Sequence, residues 1–244
     1  MADCIYSETF DFIPGAHTTM TMYRNLLIGT ALAAILLGGC TSKVTETTQY
    51  SGFLSSYSDL KEVETPSGGT ALRWVSPSFD RNAYTTVAFN TLEFYPAPKP
   101  NERVNKQTLL DLQSYMTSTA KSVLGQKYRI VPSAAAAPAG ARTLILRAAI
   151  TGVSATNEGM KWYEVVPIAA VVGATQAATG HRDQDTNLFI EAELIDARTN
   201  QTVVKVVRKI FGTPLENDKQ AITTKDFKAA IDKLNADIWA FIRS

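Results

Sequence analysis

Three carboxylates stand close together in Ile190-Glu191-Ala192-Glu193-Leu194-Ile195-Asp196. Side chains on a strand alternate between faces, so Glu191 and Glu193 point the same way and Asp196 lies just beyond. Two carboxylates on one face can hold a metal ion or divide general acid–base work between them. The same pattern has a simpler account. If the strand 187–196 turns back into 202–211 with Glu193 opposite Lys205, cross-strand ion pairs form on a solvated face. Such pairs contribute only a fraction of a kcal/mol each.

The other side chains able to do chemistry near neutral pH are few. The chain has two histidines and two cysteines. His181 sits in the polar run Gly180-His181-Arg182-Asp183-Gln184-Asp185, where Asp183 or Asp185 could partner it as base or ligand. A solvated loop histidine explains it as well. There is no Gly-rich phosphate loop, no Gly-x-Ser-x-Gly elbow and no cluster with metal-ligand spacing. No cofactor, no metal and no catalytic constellation is therefore expected.

Cys40 stands apart, because its surroundings give the thiol a specific fate. Arg24 provides a positive region, 26–37 is an apolar run of about 12 residues, and Leu37-Gly38-Gly39 places small residues before Cys40. The run falls well short of the roughly 20 residues that a membrane-crossing helix needs. The four residues Leu37, Gly38, Gly39 and Cys40 resemble the lipobox of bacterial lipoproteins, in which the chain is cut before the cysteine and the cysteine carries lipid. Met20 and Met22 lie just ahead of the positive region, and the expectation is that the natural product starts at one of them. Thr41 in place of aspartate favours the outer membrane over retention in the inner one.

With the cut at Cys40, Cys4 is lost and the remaining domain has no free thiol and no disulfide. One of the 24 bases and three of the 23 acids precede Cys40, which leaves a formal charge of +3. So small a surplus gives no electrostatic case for nucleic acid. Residues 41–49 are rich in Thr and Ser, and the expected organisation is 1–39 as extension and signal peptide, 40–49 as flexible tether and 50–244 as one periplasmic domain.

The elements that must position the carboxylates follow from periodicity. Phe53, Leu54, Tyr57 and Leu60 have helical spacing and predict a short helical turn. Pro66-Ser67-Gly68-Gly69 reads as a turn before an extended piece at 71–75. Residues 84–95 read as the first long strand, stopped by Pro96 and Pro98. Helix one spans 105–126 with Leu109, Leu112, Met116, Ala120 and Val123 as its apolar stripe. Strands are predicted at 128–131 and 143–153, then the hairpin 187–196 and 202–211, whose turn needs Asn200 in the left-handed conformation. Thr223 and Thr224 offer caps for a last helix to Ile242, with Phe227, Ile231, Leu234, Ile238 and Phe241 facing the core. The expected fold is α+β, a mainly antiparallel or mixed sheet of four or five strands with two amphipathic helices packed on one face.

Between the strands lies an apolar run, Val165-Val166-Pro167-Ile168-Ala169-Ala170-Val171-Val172-Gly173, preceded by Trp162. It is either a buried segment or an exposed loop that meets a partner, another subunit or lipid. On the second reading Trp162, Val165, Val166, Ile168, Val171 and Val172 form an interaction surface.

Tyr50-Ser51-Gly52-Phe53-Leu54 with Tyr57-Ser58-Asp59-Leu60, then Trp74-Val75-Ser76-Pro77 and Ile190 through Thr199, resemble the bacterial lipoproteins grouped as domain of unknown function 3313. That resemblance brings no reaction and no catalytic residue. The expected function is a non-enzymatic binding or accessory role for a lipid-anchored outer-membrane protein facing the periplasm of a Gram-negative bacterium. Its partners would be the membrane, through Cys40, and an envelope protein or peptidoglycan-associated component, or further copies of itself. Two alternatives stay open: a subunit of an oligomeric secretion or assembly complex, and an envelope hydrolase or transferase using the carboxylates.

Overall fold

The computed structural model describes residues 44–157, 184–217 and 219–244. They form one mixed sheet with two α-helices on one face. The strands are β1 (Lys61–Glu64), β2 (Thr70–Val75), β3 (Thr86–Ala88), β4 (Glu93–Phe94), β5 (Arg129–Val131), β6 (Thr143–Asn157), β7 (Gln184–Asp196) and β8 (Gln201–Phe211). The helices are α1 (Lys106–Leu124) and α2 (Thr224–Arg243). The sheet runs in the order β1-β2-β8-β7-β6-β3-β5, and β4 also pairs with β6. From β1 to β6 every neighbour is antiparallel, whereas β3, β4 and β5 are joined by parallel pairings.

The α+β class holds, but eight strands replace the expected four or five. Two come from the hairpin around Pro66–Gly69, whose Gly68 has φ +81°. Another arises because 84–95 is not one strand. Between β3 and β4 the backbone leaves the sheet and is met by α1: Thr117 accepts from the Leu92 N–H at 3.1 Å, and Gln113 donates to the Leu92 carbonyl at 2.7 Å. Helix side chains thus satisfy polar groups that a continuous strand would have given to a neighbour.

Alternation along β7 sorts the two faces. Leu188, Ile190, Ala192 and Leu194 join the main core with α1 and α2. Asn105 caps α1 by accepting from the Thr108 N–H at 2.9 Å, and Thr223 opens α2 with its N–H on Asp226 at 2.7 Å. Phe227 and Ile231 of α2 are fully buried. The chain between β8 and α2 must pass tightly, since a Cβ on Gly212 would lie 2.6 Å from the Asp226 carbonyl oxygen.

The opposite face is covered as well. A smaller apolar cluster of Phe53, Leu54, Ala149 and Val207 forms there, with Tyr50, Tyr57, Leu60 and Leu72 around it. The segment 50–60 therefore lies across the sheet as a strap, and it is irregular and not the expected helical turn. The expected tether 40–49 also ends earlier than its composition suggested. Thr45 is only 3% exposed, and Thr47–Gln49 form a 3-10 turn closed by Glu46 and Gln49.

Candidate functional site

The carboxylates of β7 are the natural place to look for chemistry. The hairpin register agrees with expectation: Glu193 pairs with Lys205, and Asn200 has φ 56° in the turn. The solvated face does not. Glu191 is 0% exposed under the strap 50–60, and Glu193 is 3% exposed with Arg147 and Thr202 bonded to it.

Glu191 is the centre about which the strap is wound. Its Oε2 accepts the Tyr57 phenol at 2.5 Å, and its Oε1 accepts the Ser51 N–H at 2.9 Å. The Tyr57 oxygen in turn accepts the N–H groups of Gly52 at 2.9 Å and Leu54 at 3.2 Å. These bonds take the place of the helical ladder that the spacing of Phe53, Leu54, Tyr57 and Leu60 suggested. Gly52, at φ +86°, permits the turn of backbone that aims both amides inward. Tyr50 stacks on Tyr57 with centroids 4.3 Å apart. Burial first, and then the bond to Glu191, push the Tyr57 phenol up to about 12.

Glu193 and Lys205 face each other across the ladder, yet each holds another partner. Arg147 on β6 donates to Glu193 at 2.6 Å, and Thr202 donates to it at 3.3 Å. The Arg147 guanidinium also lies over the Phe53 ring. Lys205 reaches out to the strap, 2.5 Å from Asp59 and 3.1 Å from the Ser56 carbonyl, with Trp74 beneath its ammonium. Cations from the sheet thus reach up to the strap, and the expected Glu193–Lys205 pair gives way to two pairs.

Asp196 serves the turn. Its Oδ1 accepts from the N–H groups of Arg198 at 2.8 Å and Thr199 at 3.2 Å. Its Oδ2 accepts from Tyr84 at 2.7 Å and Arg142 at 3.1 Å. Burial would raise this carboxyl, but the four donors outweigh it and hold the pKa at about 2. All three carboxylates are therefore acceptors inside the fold. The residues that sequence reasoning missed are their distant donors, Tyr57, Ser51, Arg147, Tyr84 and Arg142, which share no spacing with the hairpin.

A second buried ion pair lies on the helix face, where Arg208 of β8 donates to Asp237 of α2 at 3.0 Å. Ser67, in the turn between β1 and β2, adds its N–H and hydroxyl to Asp237, each at 2.8 Å. Cys40, Leu37, Gly38, Gly39, His181, Trp162, Val165, Val166, Ile168, Val171 and Val172 lie outside the described residues.

Comparison with known proteins bears on the whole domain. The family described as protein of unknown function (DUF3313) matches residues 49–238. The uncharacterized lipoprotein YdcL of Escherichia coli strain K12 is 44% identical over 212 residues, covering 86% of this chain and 93% of that protein. The YdcL of E. coli O157:H7 matches to the same extent. Among solved structures, the PelC dodecamer from Paraburkholderia phytofirmans matches with TM-score 0.31 and 16% identity, covering 59% of this chain and 83% of that one. A PDZ domain protein from Parabacteroides distasonis matches with TM-score 0.36 and 10% identity, covering 82% of this chain and 41% of that one. Likenesses this remote carry no argument about function.

Proposed function

The chain belongs to the DUF3313 family, and from that premise we propose that it is a non-enzymatic binding or accessory lipoprotein of the bacterial envelope, held on the periplasmic side of the outer membrane by lipid on Cys40. The observation that carries the reading is the state of the hairpin carboxylates. A general acid or base must reach a substrate proton. Glu191, Glu193 and Asp196 instead lie buried, each occupied by donors from the strap, from β6 or from the hairpin turn. Their role is to hold the strap and the turn in place.

The anchor follows from Leu37-Gly38-Gly39-Cys40 and is consistent with the lipoprotein relatives at 44% identity. It also constrains where the domain works. Thr45 is buried, and Glu46 lies near enough to Lys209 of β8 to act on its ammonium. Five residues from Cys40, even fully extended, span at most about 18 Å. The domain then works close to the bilayer, and its partner is an envelope component reached at that surface.

Metabolic labelling with an alkyne palmitate, followed by membrane fractionation, tests the anchor. Label should appear on the wild-type chain in the outer-membrane fraction and vanish in Cys40→Ala. Label surviving in Cys40→Ala sinks the lipid site, and recovery in the inner membrane sinks the location. Crosslinking in cells then identifies the partner. Turnover of any envelope material that is abolished by Glu191→Gln in a folded protein would overturn the non-enzymatic reading.

A further inference from the structure

Among the described residues, the two helices leave space over the sheet. Between β2, β6, β7 and β8 below and α1 and α2 above lies a cavity of about 180 Å³. Its wall is almost wholly apolar and includes Met116, Ala120, Ala148, Ile190, Leu234 and Ile238. An engineered apolar cavity of about 150 Å³ stays dry and takes up benzene. The present one is larger and offers no polar partners along most of its wall, so hydrocarbon fits it better than water does.

One edge of the cavity has a different character. Arg73 and Arg208 line it together with Asp237. Two cations share one carboxylate there, and Asp237 is already bonded to Arg208 and Ser67. Arg208 is buried, yet its Nε has no acceptor among the described residues. Arg73 is half-buried and stacks on Phe241, and its guanidinium has no carboxylate partner among the described residues. Burial lowers the pKa of both guanidinium groups, and a neighbouring cation lowers each further, Arg81 beside Arg73 and Arg73 beside Arg208. The edge thus carries two guanidinium groups against one carboxylate, Asp237, beside hydrocarbon-lined space.

We propose that this cavity binds a single-chain anionic amphiphile, the acyl chain lying between the helices and the sheet and the acid group lying against Arg73 at the edge it shares with Arg208. The site is independent of the anchor and partner reading above, because it uses neither Cys40 nor the strap. A guanidinium pair selects a planar carboxylate and places it with direction as well as charge. A neutral alcohol of the same chain would fill the cavity and leave the arginines as they are.

The test uses the full chain in phosphatidylcholine nanodiscs with two photoactivatable probes, a diazirine-tailed octanoate and the corresponding octanol. After irradiation, octanoate adducts should map to Met116, Leu234 or Ile238. Filling the cavity with Ala120→Leu should lower them about tenfold, since the added methyl groups occupy the chain's space. Ala148→Leu serves as a second filling variant if Ala120→Leu melts below wild type. Arg73→Gln should lower capture of octanoate and leave capture of octanol unchanged. Adducts confined to surface residues, or equal labelling of a folded filled variant, overturn the site. Equal capture of octanoate and octanol by wild type overturns the anionic head group.

Discussion

The Tyr57 phenol donates to Glu191 at 2.5 Å across 134 residues of sequence, and in doing so joins the strap to the middle strand of the sheet. The two segments it joins, 50–60 and 190–199, are two of the three in which the sequence resembles its family. Their residues are linked because one is the acceptor about which the other folds. Removing the hydroxyl tests this. Tyr57→Phe deprives Glu191 of a donor and the Gly52 and Leu54 amides of an acceptor. A loss of about 2–3 kcal/mol in urea unfolding is expected, with the far-ultraviolet spectrum unchanged. A loss below a few tenths would show that the strap docks by its apolar residues alone.

Stability should fall at both ends of the pH scale for separate reasons. Folding raises the Tyr57 phenol to about 12, so what it contributes is whole below the ordinary tyrosine value near 10 and is lost as pH rises through about 12. Folding lowers the Asp196 carboxyl to about 2, so its contribution is whole above about pH 4 and is lost as pH falls through about 2. Urea midpoints measured across pH should show the gap between wild type and Tyr57→Phe closing above pH 10, and that between wild type and Asp196→Asn closing below pH 4. A gap constant over either window would contradict the assignment.

Asp237 and Arg208 form a buried pair that ties α2 to β8 and, through Ser67, to the turn between β1 and β2. Breaking such a pair from one side strands a buried charge at a cost of about 3–5 kcal/mol. Asp237→Leu and Arg208→Met should each approach that cost, and the two combined should cost much less than the sum of the single changes. Additive losses in the double-mutant cycle would show that the charges are solvated and weakly coupled.

α2 contributes Phe227, Ile231 and Ile242 as buried side chains of the main core. At about 1.5–3 kcal/mol each, their burial is comparable with the whole stability of an ordinary domain. Truncation after Thr223 should therefore abolish the near-ultraviolet circular dichroism and the cooperative thermal transition. A truncated chain that still melted cooperatively would place the core elsewhere.

Residues close together in sequence carried most of the local structure. The period of Leu109, Leu112, Met116 and Val123, and that of Phe227, Ile231 and Leu234, marks the two helices, which depend on spacing alone. The register of Glu193 with Lys205 and the left-handed Asn200 follow from a short turn, whose closure is local. The likeness of Leu37-Gly38-Gly39-Cys40 to a lipobox is likewise legible without reference to any fold.

Tertiary structure decided what each face of the sheet meets. Glu191 and Glu193 alternate with Ile190 and Ala192 as a half-solvated strand does, and nothing near them announces a cover. The cover comes from 50–60, whose apolar spacing imitates a helix although its amides are satisfied by Tyr57 and Glu191. Likewise Arg208 reads as one more exposed base on a strand until α2 brings Asp237 over it. Burial and pairing are sums over distant segments, and alternation along one strand records only direction. The chain therefore specified which residues share a face, and only its packing determined that those carboxylates hold the protein together.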